Sequence, residues 1–551
     1  MTHIHLNLDL NFEGKILEGS AVLTVEKVQA GADQVLLDSR GLNIKAVFDH
    51  ATGQKLDFKI HPEDYVGSKL EVQLPNSKDK SVEIRLEYAT SPNSTALQWL
   101  PPQQTAGKTH PYLFSQCQAI HCRSMVPCQD TPAVKMPYSA EITAPADLTV
   151  LMSAVPQGEP QPGPNGKRVH KFLQKIPIQS YLIAIAAGNI ESRQIGPRSK
   201  VWSEKEYVDK AAFDFSETET MLQKAEELCG PYVWGIYDIL VLPPSFPYGG
   251  MENPCLTFAT PTLLAGDKSL ADVIAHEIAH SWTGNLVTNK NFEHFWLNEG
   301  FTVFTEQKIV GRMHGEAYRH LSAMLKWRDL KYTVEDIMKA DNPLTALVVQ
   351  LEGVDPDDAF SVVPYIKGST FLWYLEAQVG GAQVFEPFLK SYYDHFKYQS
   401  IDSNEFKDYF LDYFKDKDLK IDWDTWYHTP GMPIYKPDYD DSLAKVCVEL
   451  KQKWLDWNVQ DKCPFTVEDL KAMSADQQME FLGKLLEEDP LPIGKLEKMQ
   501  EVYDLNSNNN SEIKFKWIRL GLKAGWSDAV PRAVQMVTEQ GRMKFLRPLY
   551  R

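Results

Sequence analysis

Two histidines four residues apart, His276 and His280, are the side chains of this chain best suited to bind a metal ion. Residues i and i+4 share one face of an α-helix, so both imidazoles can reach one ion while Glu277 projects beside them. Glu299 begins a second helical pattern and supplies a third candidate ligand. Three protein ligands leave the fourth position of a tetrahedral Zn²⁺ open for water, as in catalytic zinc sites.

The His-Glu-x-x-His pattern is not sufficient by itself. Among chains with 14 histidines in 551 residues it occurs by chance in roughly 2%. The alternative interpretation is a solvated helix with two surface histidines. The tripeptide Asn298-Glu299-Gly300 and the upstream Gly-Gly-Met-Glu-Asn sequence that begins at Gly249 favour a metal hydrolase instead.

The helix that carries the histidines needs a rigid support. Ser269 and Asp272 have the spacing of a capping box, which predicts the helix start. Val273, Ile274 and Ile278 form an apolar stripe that would pack on a core.

The bulk composition limits the classes of function. A chain of 551 residues with 43% apolar and 24% charged residues is a globular protein of about three or four domains. Its net charge of −17 disfavours nucleic acid and anionic membranes as partners. No apolar run approaches 18 residues, so no integral membrane association is expected. The alternating N-terminus predicts a strand and no signal peptide, and seven cysteines without framework spacing indicate reduced thiols in a cytoplasmic protein.

Hydrophobic periodicity divides the chain. A period of two predicts a β-rich domain over 1–190, and mostly helical patterns follow over 191–430. A proline-rich linker is predicted at 431–445, and short amphipathic helices over 446–551 predict a helical solenoid. Within the first domain, the residues around Gln116 read locally as a core strand.

The motifs at His276, Glu299 and Gly249 together resemble those of the gluzincin zinc aminopeptidases. Within that class, the stretches 111–123, 280–285, 363–368 and 541–545 are similar to the leukotriene A4 hydrolases, so the resemblance covers nearly the whole chain. It implies a multidomain α+β fold: an N-terminal β-sheet domain, a thermolysin-like zinc catalytic domain and a C-terminal α-helical solenoid. That family continues with helical sequence beyond the position of Arg551, so this end is expected to be either naturally short or truncated.

The resemblance assigns catalytic roles to individual residues. One Zn²⁺ per chain is bound by His276, His280 and Glu299. Glu277 is the general base, and Tyr365 donates a hydrogen bond to the oxyanion. The alternative interpretation of Tyr365 is a buried core tyrosine.

Substrate-binding roles follow from the same resemblance. Glu252 pairs with the free α-ammonium of a peptide, although alone it would read as a solvated loop carboxylate. Arg542 and Lys544 bind a substrate carboxylate, although alone they would read as surface charges. The remaining residues expected to bind substrate are Gln116, Gln118, Ala119, Tyr248, Gly249, Gly250 and Met251.

Two residues bear on a lipid epoxide substrate. Asp357 matches an aspartate that orients water for attack on the opened epoxide in the hydrolases. Phe360 departs from the family pattern, which has a tyrosine there. The fate of the epoxide cation therefore does not follow from the family, whereas the peptidase residues are complete.

The expected function is that of a bifunctional hydrolase. It would remove N-terminal residues from short peptides, with tripeptides that begin with arginine favoured, and convert leukotriene A4 to a dihydroxy leukotriene at the same zinc. The alternatives are a plain cytoplasmic aminopeptidase and a peptide-binding scaffold without catalysis. The sequence leaves the oligomeric state open.

Overall fold

The computed structural model describes residues 1–551 and contains three large hydrophobic cores in chain order. The first core is built mainly by strands, the second by helices around a mixed sheet, and the third by helices alone. This arrangement confirms the predicted multidomain α+β fold. No helix is both long enough and apolar enough to cross a membrane.

Strands dominate the first two hundred residues because apolar and polar side chains alternate there, as in the first strand, where Ile4, Leu6, Leu8 and Leu10 are buried. The strands of this region are β1 (His3–Asn11), β2 (Ile16–Glu26), β3 (Gln34–Ser39), β4 (Asn43–Asp49), β5 (Lys55–Leu56), β6 (Phe58–Ile60), β7 (Ser68–Gln73), β8 (Ser81–Ala89), β9 (Leu97–Leu100), β10 (Tyr112–Ser115), β11 (Lys135–Ala144), β12 (Thr149–Met152), β13 (Val155–Pro156), β14 (Gln161–Pro162), β15 (Arg168–Gln179), β16 (Ile185–Gly188), β17 (Glu191–Gly196) and β18 (Ser199–Ser203).

Strands β1 to β16 form two main sheets and a smaller one. The largest runs in the order β13-β15-β11-β1-β2-β8-β4-β5, with β14 also paired to β15. Its one parallel pair joins β1 to β11, with Ile4 opposite Tyr138. A four-stranded sheet β12-β16-β10-β9 and a three-stranded sheet β3-β7-β6 complete the domain.

The second region adds the five-stranded sheet β17-β18-β19-β21-β20, which uses β19 (Asp238–Val241), β20 (Gly250–Met251) and β21 (Leu256–Ala259). A short pair joins β22 (Val287–Asn289) to β23 (Gln399–Ile401). The helices are α1 (Lys205–Asp214), α2 (Thr218–Cys229), α3 (Asp272–Ala279), α4 (Trp296–His314), α5 (Glu316–Tyr332), α6 (Val363–Val379), α7 (Ala382–Phe396), α8 (Ser403–Tyr413) and α9 (Trp423–His428).

Close packing of α4 against α6 brings two predicted site residues together, since α4 carries Glu299 and α6 carries Tyr365. Gly300 and Gly368 face each other where the helices cross. A Cβ built on Gly300 would lie 2.8 Å from the Cα of Gly368. Any larger residue at this crossing would force the two helices apart.

The third region is helical, as predicted. It contains α10 (Ser442–Asp456), α11 (Glu468–Lys471), α12 (Ala475–Glu487), α13 (Ile493–Tyr503), α14 (Ser511–Lys523), α15 (Ala529–Glu539) and α16 (Met543–Tyr550). Ser474 and Gln477 form a capping box at the start of α12. Arg328 of α5 forms ion pairs with Glu480 and Glu487 of α12, which attach this region to the second one.

Three local predictions differ from the structure. Helix α3 begins without a side-chain cap, because the hydroxyl of Ser269 instead accepts a hydrogen bond from Asn510 at 2.9 Å. The residues around Gln116 follow β10 as a loop and a turn, since the strand ends at Ser115. Helix α10 begins at Ser442, inside the predicted linker; the domain boundaries themselves remain predictions.

Candidate active site

Three side-chain atoms converge on one point between α3 and α4. The Nε2 atoms of His276 and His280 each lie 3.3 Å from Oε2 of Glu299. Ligands about 2.0–2.1 Å from a tetrahedral Zn²⁺ lie roughly 3.3–3.4 Å apart, so this spacing is that of three zinc ligands. Oε2 of Glu299 is buried and receives no hydrogen bond, which leaves its charge for a cation.

The two histidines are held in the orientation that metal binding needs. Nδ1 of His276 donates to Glu306 at 3.1 Å, and Nδ1 of His280 donates to the backbone oxygen of Thr283 at 2.8 Å. Lys326 in turn pairs with Glu306 at 3.4 Å. Because both Nδ1 atoms donate hydrogen bonds, both Nε2 atoms are left as acceptors on the side of Glu299. Metal-binding histidines are commonly oriented by such a hydrogen bond from the other ring nitrogen.

The electrostatic field at this point favours a positive ion. Burial alone would lower the pKa of His280, but Glu252 and Glu299 raise it to about 9. Burial alone would raise the pKa of Glu299, but the two histidines lower it to about 2. A site with this much buried negative charge fits Zn²⁺.

Glu277 is buried next to the two histidines and keeps one carboxylate oxygen unpaired. It is 5% exposed, and its Oε2 has no hydrogen-bond partner. Burial raises the pKa of its carboxyl to about 8, against the opposing effect of His276 and His280. A buried carboxylate with a free oxygen and a raised pKa is suited to accept a proton near neutral pH.

Glu252 lies on the other side of the metal point. It is 4% exposed, its Oε2 is 3.9 Å from Nε2 of His280, and its Oε1 has no hydrogen-bond partner. Its backbone oxygen accepts a hydrogen bond from Asn285 at 2.7 Å, which fixes the loop after β20. Burial raises the pKa of Glu252, because its charged form is costly away from water. A cationic group of a ligand would stabilise that buried carboxylate.

Tyr365 covers the metal point from α6. Its ring stacks on that of His276 with an interplanar angle of 18° and a centroid distance of 6.1 Å. The rings of Phe295 and Phe360 pack edge-on against it. Burial raises the pKa of the phenol well above its usual value, so Tyr365 keeps its proton and can donate a hydrogen bond.

A cavity of about 250 Å³ opens from this point, and most of the predicted site residues line it. Those residues are Gln118, Ala119, Tyr248, Gly250, Met251, Glu252, His276, Glu277, His280, Glu299, Asp357, Phe360 and Tyr365. Gln116, Gly249, Arg542 and Lys544 do not line it. The individual substrate-binding roles remain predictions.

The four residues outside the cavity wall have different partners. Gln116 donates to Sδ of Met251 at 3.2 Å. Arg542 packs behind the loop before β20, so that a Cβ on Gly249 would lie 2.8 Å from its Nη2. Lys544 is half-exposed and forms an ion pair with Glu512 at 2.5 Å.

Asp357 is engaged from the N-terminal domain. Nε2 of His121 lies 2.6 Å from Oδ2 of Asp357, and Nδ1 of His121 lies 2.8 Å from the hydroxyl of Thr95. Phe360 is 45% exposed, and its ring lies 6.1 Å from that of Tyr248. One oxygen of Asp357 is therefore hydrogen-bonded to the imidazole of His121, while Asp357 also lines the cavity.

Sequence reasoning missed several residues of this site, among them Glu306, His121, Met543 and Arg547. Glu306 follows Glu299 by seven residues, so helical spacing could have identified it as lying on the same face. His121 reaches Asp357 across 236 positions, and no local signal predicts that contact.

Three family models match the chain. Residues 1–182 match the peptidase M1 N-terminal domain, residues 213–426 the peptidase family M1 domain, and residues 473–551 the C-terminal domain of leukotriene A4 hydrolase.

Whole-chain relatives agree with these matches. The chain is 50% identical to leukotriene A-4 hydrolase from Xenopus laevis, over all of this chain and 91% of the relative. It is 43% identical to leucine aminopeptidase 2 from Aspergillus niger, over all of this chain and 90% of that protein.

Solved structures give the same result. The structure of yeast LTA4 hydrolase in complex with bestatin superposes with a TM-score of 0.94 at 37% identity, over all of this chain and 89% of the other. A variant of the M1 zinc metallopeptidase from Deinococcus radiodurans shares the fold, with a TM-score of 0.64 at 22% identity over 79% of this chain and 96% of the other.

Proposed function

Because the chain belongs to the leukotriene A4 hydrolase group of the M1 zinc peptidase family, we propose that it is a bifunctional zinc hydrolase. One activity is that of an aminopeptidase on short peptides, and the other is the hydrolysis of leukotriene A4 to a dihydroxy leukotriene. The observation that carries the first activity is the pair of buried carboxylates, Glu252 and Glu277, flanking the metal ligands in one cavity.

Glu252 selects the N-terminus of a peptide. A free α-ammonium supplies the positive charge and hydrogen bonds that its buried carboxylate lacks. An ammonium fixed there places the first peptide bond next to the metal, so one residue is removed at a time. An acylated N-terminus has no charge to offer and would leave Glu252 buried without a partner.

The protein groups divide the chemistry of peptide hydrolysis. When bound, Zn²⁺ supplies Lewis acidity at the scissile carbonyl and makes water more acidic. Glu277 takes a proton from the attacking water and returns it to the leaving amine. Tyr365 donates its phenolic hydrogen to the oxyanion that forms on the carbonyl, where burial strengthens that hydrogen bond.

The far end of a short peptide points toward the C-terminal helical domain. Backbone amides of Gly541 and Met543 donate to Pro244 at 2.7 Å and to Pro247 at 3.0 Å, which attaches that domain to the loop before β20. By the family resemblance, Arg542 and Lys544 bind the substrate's carboxylate. Tripeptides, including those that begin with arginine, are the expected class of substrate.

The test of the peptidase proposal uses purified, zinc-loaded protein with leucine and arginine p-nitroanilides and their N-acetylated forms. We expect turnover of the free-amine substrates and at least about a hundredfold lower kcat/KM for the acetylated ones, because a buried charge-assisted bond is lost. Equal rates on both forms would contradict selection by Glu252.

The alternative to the bifunctional enzyme is a plain aminopeptidase that does not act on leukotriene A4. The fungal relative is named leucine aminopeptidase 2, which favours the plain aminopeptidase. The Xenopus relative is named leukotriene A-4 hydrolase, which favours the bifunctional enzyme. The residue that supports the lipid reaction in this chain is Asp357, a cavity carboxylate oriented by His121. Seven free cysteines support a cytoplasmic location for either enzyme.

Asp357→Asn is expected to abolish the enzymatic dihydroxy product from leukotriene A4 and to spare most of the peptidase activity. The carboxylate can orient and deprotonate a water molecule that attacks the opened epoxide, whereas an amide is a poor base. Asp358→Asn is the matched control, because Asp358 is exposed and lies outside the cavity wall. Chromatography of the products decides the outcome, and unchanged dihydroxy product in Asp357→Asn would contradict this role.

A further inference from the structure

A second cavity, of about 500 Å³, lies between the second region and the C-terminal helices; we call it the interdomain cavity. One side is formed by Tyr207 of α1 and by the segments around Pro244 and Thr262, and the other side mainly by α14 and α15. No residue lines both this cavity and the one that contains the metal ligands. Ligand pockets commonly have volumes of about 300–1,000 Å³, so the interdomain cavity can hold a small organic molecule.

Two cations on the helical side of the interdomain cavity have no ionic partner. Arg532 of α15 forms no ion pair, and its Nε and Nη2 atoms are buried without a hydrogen-bond acceptor. Its guanidinium lies 4.9 Å from the ring centroid of Trp526, a contact that packs the group without neutralising it. Lys514 of α14 likewise forms no ion pair and no side-chain hydrogen bond. An anion in the cavity would supply the negative charge that both side chains lack.

Acidic side chains do not compensate for this positive charge. Glu539 is the only carboxylate that lines the interdomain cavity, and one of its oxygens accepts a hydrogen bond from Gln535 at 2.5 Å. Burial lowers the pKa of Arg532, and Asp528 opposes that effect without forming an ion pair. Two cations and one carboxylate therefore leave the cavity wall with a net charge of +1.

Neutral hydrogen-bond donors add to the positive character of the interdomain cavity. The Oδ1 atom of Asn506 accepts a hydrogen bond from the indole of Trp517 at 2.7 Å, which leaves the NH2 group of Asn506 as a donor. The hydroxyl of Tyr207 has no partner in the protein, and burial raises its pKa, so it keeps its proton. A site with two cations and two neutral donors suits a group that carries several acceptor oxygens.

We propose that the interdomain cavity binds a phosphate monoester of a small hydroxylated molecule, with Arg532 and Lys514 contacting the phosphate. A phosphate monoester at neutral pH carries about −1.5 to −2 charges and three acceptor oxygens, which matches two cations and further donors. A carboxylate carries one charge and two oxygens, so it would leave one cation without a partner. The free oxygens of Gln535 and Glu539 can accept hydrogen bonds from hydroxyl groups on the rest of the ligand.

Isothermal titration calorimetry on the zinc-loaded protein tests the class of ligand with four probes: ribose 5-phosphate, inorganic phosphate, ribose and ribonate. We expect ribose 5-phosphate to bind at least about 10-fold more tightly than inorganic phosphate, because the ester also contacts the rest of the cavity. Ribose lacks the charge and ribonate replaces the phosphate by a carboxylate, so each should bind at least about 10-fold more weakly than the ester. Equal affinity for the ester and any other probe would overturn the proposal.

Substitutions of the two cations locate the bound ester. Arg532→Gln and Lys514→Gln are each expected to raise the Kd of ribose 5-phosphate by about 10-fold or more, since each removes a charge-assisted hydrogen bond. Arg532→Lys should recover part of the affinity, because it keeps the charge but loses the planar guanidinium. Lys498→Gln makes the same change in net charge on α13, outside the cavity wall, and should leave the Kd unaltered.

The metal site is the alternative location for a bound phosphate. Binding there would not respond to Arg532→Gln or Lys514→Gln, because neither residue lines the catalytic cavity, so an unchanged Kd in both variants would overturn the proposal. Thermal midpoints without ligand show whether each variant is folded, and Lys514→Gln decides the outcome if Arg532→Gln is not. The ester should raise the thermal midpoint of the unmodified protein more than that of either variant. None of these measurements needs turnover, so their outcome is independent of the proposed peptidase function.

Discussion

Glu277→Gln is expected to lower kcat for peptide hydrolysis by about 10³-fold while the protein keeps its Zn²⁺. Glutamine preserves the shape of the side chain but cannot accept a proton, and general-base catalysis contributes about 10²–10⁴-fold. We propose that Glu277 is not a ligand, because His276, His280 and Glu299 already supply three donor atoms at zinc-ligand spacing. Its raised pKa, about 8, reflects a buried group whose proton affinity is matched to neutral pH.

Metal content and turnover must be measured on the same sample to test this role. Atomic absorption should give one zinc per chain for Glu277→Gln, and added zinc should restore no activity. Glu306→Gln is the contrasting variant, because it loosens His276 without removing the base. We expect it to weaken zinc affinity about 10–100-fold and to regain turnover when zinc is added. A Glu277→Gln protein that lost its metal, or that retained substantial activity, would contradict the assignment.

Gly250→Ala is expected to reduce kcat/KM about a hundredfold on every peptide substrate without loss of zinc. A Cβ at this position would lie 2.9 Å from Cδ of Glu277 and closer still to its Oε1. The backbone of β20 is paired to β21 and cannot retreat easily, so the flexible carboxylate must move. A shift of about 1 Å in a catalytic group can cost about 10²-fold in rate.

Gly249→Ala is the informative companion to this variant. Its Cβ would meet Nη2 of Arg542 at 2.8 Å instead of the base. It should therefore affect peptides with a free carboxylate more than p-nitroanilides, whereas Gly250→Ala should affect both. The measurement is kcat and KM on both substrates, with the thermal midpoint as a check on folding. Full kcat in Gly250→Ala would mean that the position of Glu277 is not critical to catalysis.

The sequence alone was sufficient for the class of fold and for a hypothesis about the metal ligands. His276 and His280 lie on one face because helical spacing is a local property, and Glu299, in the first turn of α4, lies 3.3 Å from both imidazoles. The β-rich and helical regions followed from hydrophobic periods of two and 3.6 residues, which depend only on which face of an element is buried. These features need no knowledge of distant contacts.

Tertiary structure decided which polar side chains work together. The cap predicted at Ser269 does not form, and the hydroxyl of Ser269 instead accepts a hydrogen bond from Asn510 at the start of α14. The contact between His121 and Asp357 joins residues 236 positions apart, and no local pattern encodes that pairing.

The basic residues near the end of the chain show the same limit. Arg542, Lys544 and Arg547 are all basic and lie close together in the sequence, yet only Arg547 lines the cavity. Glu512 of α14 binds Lys544, and Arg542 lies behind Gly249. The physical reason is that the direction of a side chain follows from its helix, but the partner it meets follows from how that helix docks on the rest of the molecule.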